Sequence, residues 1–124
     1  MTKIGLVLVS HAKPLAQGTF ELIREVAKDV DITYSGGTET GDIGTSFDQI
    51  QEAIEANGQD SLLAFFDLGS ARMNLEMVAD FSDKNILIQN VPFVEGAYTA
   101  AALIQAGAPL SAIEAQRSEL HIQK

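Results

Sequence analysis

The chain has 124 residues, 46% hydrophobic and 20% charged, the size and composition of one globular domain spanning residues 1–124. It carries no cysteine, which excludes a disulfide framework, a cysteine-built zinc or iron–sulfur site and a catalytic thiol. Seventeen acidic residues against eight basic ones give a net charge of −9. A field of that sign repels phosphate backbones and anionic lipid, so nucleic acid and membrane surfaces are poor partners.

The N-terminal segment MTKIGLVLVSH holds an apolar run of about six residues, too short for a signal sequence or a membrane span. A cytoplasmic location is the expectation. Residues 4–10 (IGLVLVS) instead suit a strand buried on both faces of a parallel sheet. Pro14 then opens a helix of about 15 residues, with Leu15, Leu22, Ile23, Val26 and Val30 at helical spacing. Residues 31–35 (DITYS) read as a second strand ending at Gly36-Gly37. A polar loop leads to a helix with Phe47, Ile50 and Ile54 on one face, Ser46 and Gln49 as a capping box, and Asn57-Gly58 as its stop.

Residues 61–67 (SLLAFFD) form the third strand, and Gly69-Ser70 opens a helix carrying Leu75, Val78 and Ala79. Residues 85–89 (NILIQ) form the fourth strand. A fourth helix starts near Pro92 and stops at Gly107, and the tail from Pro109 holds one short helix before fraying. Helix four (VEGAYTAAALIQAG) is apolar nearly all round, so the face turned away from the sheet needs a cover. A second copy of the chain and the C-terminal segment are equally open as that cover.

Four βα units in series imply an α/β, three-layer sandwich with a mostly parallel sheet of order 2-1-3-4 and helices on both faces. That order puts a topological switch between strands 1 and 3, where ligand chemistry sits at the carboxyl ends. Those ends carry Ser10-His11 and Asp67-Leu68-Gly69-Ser70. A neutral imidazole is a good nucleophile near neutral pH when its second nitrogen keeps the proton, and a carboxylate accepting that N–H fixes the tautomer. His11 and Asp67 supply this pair. A transferring phosphoryl group needs donors around its equatorial oxygens, and Gly36, Gly37, Thr38, Gly69 and Ser70 can supply them, helped by helix N-termini.

Each residue also has a plainer reading. His11 can be a polar loop residue, Asp67 a cap for the helix near Ser70, and Gly36-Gly37 a turn. His121 reads as a solvated tail residue, Lys13 as an exposed lysine, and Met73 and Met77 as core or edge residues.

The segments V-S-H at 9–11, G-G-T at 36–38, I-G-T-S at 43–46, D-L-G-S-A at 67–71 with Asn74 and Glu76, and P-F-V-E-G at 92–96 fall in order along the chain. Together they closely resemble the phosphotransferase subunit of phosphoenolpyruvate-dependent dihydroxyacetone kinase. That family is related to mannose-type IIA domains of the sugar phosphotransferase system.

The resemblance implies a phosphohistidine relay. His11 would be phosphorylated by the histidine-containing phosphocarrier protein, itself charged by enzyme I, and would pass the group to ADP on the nucleotide-binding subunit. The regenerated ATP would phosphorylate dihydroxyacetone on a third subunit. Asp67 would pair with the imidazole, with Gly36, Gly37, Thr38, Gly69 and Ser70 around the phosphate; which ring nitrogen is phosphorylated is left open by the sequence, Nε2 being the expectation if Asp67 holds Nδ1. Such proteins are homodimers without a cofactor or metal. Longer relatives carry fused phosphocarrier and enzyme I-like domains, so a chain ending here is expected to draw its phosphate from separate proteins.

Two other functions are open. One is the IIA component of a mannose-type sugar transporter, with the same chemistry and another acceptor. The other is an FMN-binding flavodoxin-like protein, which the lack of aromatics in the second and third loops disfavours.

Overall fold

The computed structural model describes residues 4–122. Four parallel strands, β1 (Ile4–Ser10), β2 (Ile32–Gly36), β3 (Ser61–Phe66) and β4 (Asn85–Gln89), form one sheet in the order β2-β1-β3-β4. The helices are α1 (Lys13–Arg24), α2 (Phe47–Ala56), α3 (Gly69–Phe81), α4 (Phe93–Gln105) and α5 (Leu110–Leu120). This is the expected three-layer α/β arrangement.

The continuous apolar run of β1 follows from its position at the centre. Leu6, Val7, Leu8 and Val9 are each completely buried, because a central strand of a parallel sheet has helices on both faces. Alternate side chains feed two separate cores. Leu6 and Leu8 join Leu63 and Phe65 under α1, α4 and α5, while Val7 and Val9 join Leu62, Ala64 and Phe66 under α2 and α3. The register Leu6↔Leu63 and Val7↔Ala64 keeps each set on its own face.

Asn57 stitches the opposite edge of the sheet. Its side chain is buried, and Nδ2 donates to the carbonyls of Leu6 at 2.9 Å and Asp31 at 3.2 Å. Its Oδ1 accepts from the Gln59 N–H at 3.0 Å.

Three local readings need correction. Helix α1 is 12 residues long, and its buried face is Ala16, Thr19 and Ile23. Leu15, Leu22 and Val26 are exposed, because small residues let α1 lie close to the sheet and turn its larger apolar side chains outward. On α3 the buried stripe is Ala71, Leu75 and Val78, so Met73 and Met77 fall on the outer face and are 69% and 50% exposed. They are neither core nor edge. The C-terminal segment is also more than a frayed tail. Beyond α5 the Ile122 N–H donates to the Asn90 carbonyl at 3.0 Å, although His121 is exposed as expected.

Helix α4 stops as the sequence suggests. Gly107 adopts φ +81°, and the N–H groups of Gly107 and Ala108 donate to the carbonyls of Ile104 and Leu103, which closes a Schellman turn. The chain then folds α5 back onto α4, burying Ile113 in the core that Ala97, Ala100, Ala101 and Ile104 share. The surplus apolar face of α4 is therefore covered from within the chain, and it no longer argues for a second copy.

Candidate active site

Strand register brings the two chemically loaded loops together. Val9 pairs with Phe66 as β1 and β3 end, so the next residues of each strand, Ser10 and Asp67, emerge side by side. From there α1 packs on one face of the sheet and α3 on the other, the arrangement of a switch point. His11 lies at this strand end with its side chain 13% exposed, against 11% for Asp67.

The Asp67 carboxylate accepts hydrogen bonds from four donors. Oδ1 accepts from His11 Nδ1 at 2.8 Å and from the Leu68 N–H at 2.7 Å. Oδ2 accepts from the Ser10 hydroxyl at 2.8 Å and the His11 N–H at 3.0 Å. Burial by itself pushes this carboxyl up, but the bonds from the His11 ring and N–H, Ser10 and Leu68 outweigh it and hold the group below its ordinary value of 3.8. Asp67 is an anion at neutral pH. An anionic partner requires Nδ1 to be the protonated nitrogen, which leaves a lone pair on Nε2.

That lone pair faces Ser70, whose Oγ lies 2.6 Å away and donates to it. Ser70 stands in the first turn of α3, whose N-cap Leu68 offers no capping side chain. Asp67 is therefore not a helix cap, and its carboxylate is turned to the imidazole and the backbone of β1. The uncapped first turn, Gly69 and Ser70 included, presents backbone N–H groups and the positive end of the helix dipole beside Nε2. One imidazole thus contacts a carboxylate at Nδ1 and, at Nε2, a hydroxyl in the first turn of a helix.

The structure thus brings together His11, Asp67, Gly69 and Ser70. The backbone donors of Gly37 and Thr38, expected to face a phosphate along with Gly36, are engaged within the chain. The Gly37 N–H donates to the Ser10 carbonyl at 3.1 Å, and the Thr38 N–H to the Asp42 carbonyl at 2.9 Å, so neither is free for a phosphate oxygen. The Thr38 hydroxyl accepts from the Asp42 N–H at 3.1 Å. This segment supports the site instead. Gly37 turns the chain at φ +73°, and Gly36 lies so close under α1 that an added Cβ would stand 2.6 Å from Lys13 Cα. Lys13 is exposed, as expected.

Four supporting contacts carry no signature in the sequence. Ser10 is 1% exposed and holds both Asp67 and, through its Oγ, the Ala12 N–H at 3.0 Å. The Gly44 N–H donates to the His11 carbonyl at 2.8 Å, and Asn74 Nδ2 donates to Thr45 Oγ1 at 2.7 Å, which latches that loop onto α3. The I-G-T-S segment and Asn74 had been visible as motif residues, but without a partner assigned to either. Among the described residues no group of three or more His, Cys, Asp or Glu could hold a metal ion, and no helix is long and apolar enough to cross a membrane.

Comparisons with known proteins agree with this geometry. The family model described as the PTS system fructose IIA component matches residues 5–114. The chain is 55% identical over 120 residues to the PTS-dependent dihydroxyacetone kinase phosphotransferase subunit DhaM of Lactococcus lactis, covering 97% of this chain and 98% of that one. It is 54% identical over 101 residues to the phosphoryl donor subunit DhaM of PEP-dependent dihydroxyacetone kinase 1 from Listeria innocua, covering 82% of each. The Escherichia coli DhaM is longer; 30% identity extends over 94% of this chain but 28% of that protein. A solved structure of a protein of unknown function superposes with a TM-score of 0.84 at 28% identity, covering 98% of both chains. The chain belongs to the family of the PTS system fructose IIA component, and its resemblance to the DhaM phosphotransferase subunits runs through nearly its whole length.

Proposed function

We propose that the protein is the phosphohistidine relay of a dihydroxyacetone kinase, taking a phosphoryl group from the histidine-containing phosphocarrier protein and passing it to ADP on the nucleotide-binding kinase subunit. The observation that carries the reading is the chain of contacts through one imidazole, from Asp67 to Nδ1 and from Nε2 to Ser70.

The Nε2 lone pair attacks phosphorus on the carrier's phosphohistidine, and the P–N bond of the carrier breaks with its electron pair returning to the carrier's imidazole. A new P–N bond forms at Nε2 while Nδ1 keeps its proton. The cationic ring that results is stabilised by the Asp67 carboxylate at 2.8 Å. Ser70 releases Nε2 as the phosphoryl group arrives, and its hydroxyl and the first-turn N–H groups of α3 face the equatorial oxygens. In the second transfer a terminal oxygen of ADP attacks the same phosphorus. The P–N bond breaks, its electron pair returns to Nε2, and neutral imidazole is regenerated. This chain's own part in both transfers falls to His11, Asp67 and Ser70.

Relatives with 55% and 54% identity that are named as dihydroxyacetone kinase subunits favour this acceptor over a sugar transporter. The dihydroxyacetone-binding subunit is then the end user of the phosphate, and the cytoplasm the place of the reaction. The homodimer belongs to the same reading and rests on the resemblance, since α5 covers the α4 face that could have argued for it.

The test is incubation with radiolabelled phosphoenolpyruvate, enzyme I and phosphocarrier, followed by the kinase subunits, ADP and dihydroxyacetone. The expected outcome is acid-labile label on the wild type, none on His11→Ala, and dihydroxyacetone phosphate from the wild type. Label without product, in the presence of a competent nucleotide-binding subunit, would contradict the choice of acceptor and favour a sugar transporter. Sedimentation of the wild type reads the dimer directly.

A further inference from the structure

We propose that Ser10 is a positioning residue for this transfer, its hydroxyl fixing the roll of the Asp67 carboxylate and the turn of backbone that carries the imidazole. The proposal rests on the reading of His11 as the phosphorylated residue.

Ser10 closes β1 after four fully buried apolar residues, and it is itself 1% exposed. A buried hydroxyl at such a position costs desolvation energy unless both its donor and acceptor sites are used. Here both are. The Oγ–H donates to Asp67 Oδ2 at 2.8 Å, and Oγ accepts from the Ala12 N–H at 3.0 Å. One side chain therefore spans the imidazole from both sides along the chain, touching the carboxylate it pairs with and the amide that follows it.

The other contacts of Asp67 cannot replace this one. The Leu68 N–H belongs to the next residue and moves with Asp67, so it does not fix the carboxylate relative to β1. The His11 N–H does reach across, and Ser10 is the second donor on the same oxygen. Without the hydroxyl, Oδ2 keeps only the His11 N–H, and the Ala12 N–H, at the N-cap of α1, loses its partner. The carboxylate is then free to roll. Oδ1 no longer stays in line with Nδ1, the proton shifts toward the other ring nitrogen, and the reactive lone pair at Nε2 is lost from part of the population. Ser10 touches no reacting atom; it acts through Asp67 and the backbone.

Full-length Ser10→Ala, Ser10→Cys and Ser10→Thr test this. Cysteine nearly keeps the volume but is a weak donor, and threonine keeps the hydroxyl. Two readings are taken: single-turnover phosphoryl uptake from the phosphorylated carrier, and the ¹⁵N spectrum of the His11 ring, which reports the tautomer without any turnover.

Ser10→Ala is expected to lower the maximal uptake rate by about ten- to a hundredfold, a range typical of losing a partner that orients a functional histidine. The half-saturating carrier concentration stays within about twofold, since the docking surface is unchanged. The Nδ1–H population falls in parallel, Ser10→Cys lies between, and Ser10→Thr restores both readings. Wild-type rate and ring spectrum in folded Ser10→Ala would overturn the proposal. So would a rate loss without any change in tautomer, or one that Ser10→Thr shares. If Ser10→Ala does not fold, Ser10→Cys decides on the same two readings. Label uptake by His11→Ala would instead overturn the phosphohistidine reading, and a tautomer shift in Ser10→Ala would still stand.

Discussion

Replacing Asp67 by asparagine probes the imidazole most sharply, because the side chain keeps its shape while the charge is lost. An amide offers one acceptor and one donor group, whereas the four contacts of Asp67 all require acceptors. Two of them must therefore face the new NH₂ group. If the amide oxygen takes the Nδ1 position, the Ser10 hydroxyl and the His11 N–H meet a donor. If it takes the other, Nδ1 becomes an acceptor and Nε2 the protonated, non-nucleophilic nitrogen. A hydrogen bond to a charged group contributes about 1.5–3 kcal/mol, which alone is about 10- to 150-fold in rate when it strengthens as the ring turns cationic. Loss of the reactive tautomer extends the effect towards about 10⁴-fold, as in other His–Asp pairs. Rapid-quench measurement of phosphoryl uptake from the phosphorylated carrier reads this directly, with a melting curve to show that the fold persists. A folded Asp67→Asn protein that retains a third or more of the wild-type rate would refute the role given to the carboxylate.

The same carboxylate sets a pH dependence. Its value in the folded chain lies below the ordinary 3.8, so it contributes stability that is complete above 3.8 and is lost as pH falls through the folded value. Urea unfolding of wild type and Asp67→Asn at a series of pH values should show a stability difference that is constant at neutral pH and drifts against the wild type below about pH 4. A difference that is flat throughout contradicts the sign. Gly36→Ala places a Cβ 2.6 Å from Lys13 Cα and 2.9 Å from Ala16 Cβ, so α1 must lift, at a cost of about 1–3 kcal/mol in denaturant unfolding. Asn57→Ala removes the Nδ2 bonds to the Leu6 and Asp31 carbonyls, of which Asp31 keeps the Leu6 N–H, and should cost about 1–3 kcal/mol, read the same way. Stability within about 0.5 kcal/mol of wild type would contradict either assignment.

The strand order and the meeting of His11 with Asp67 were legible before any coordinates, because both follow from strong long-range rules. Solid apolar runs such as LVLV and LLAFF fit strands covered on both faces, right-handed crossovers with helices on both faces then require one reversal of strand order, and strand ends at that switch point converge. What depends on a single torsion or a single donor was not legible. Nothing in G-G-T says that the Thr38 N–H turns back to Asp42, which removes it from the site. In the sequence Ser10 is only the polar end of a strand, because its two partners lie in residues 12 and 67. Met73 and Met77 carry the right hydropathy for a core, but each lies two places from Leu75, on the side of the helix away from the Ala71–Leu75–Val78 stripe, and so faces outward. For α4, composition showed a face needing cover, and only the path of the chain after Gly107 shows that α5 supplies it.

The central claim is that His11 carries a phosphoryl group on Nε2 because Asp67 holds Nδ1. ³¹P and ¹⁵N NMR of the protein phosphorylated by the carrier tests it in one sample. The expected result is a phosphorus–nitrogen coupling to Nε2 of His11, with Nδ1 still protonated and no such signal in His11→Ala. Phosphorus on Nδ1, or on any residue other than His11, would contradict it.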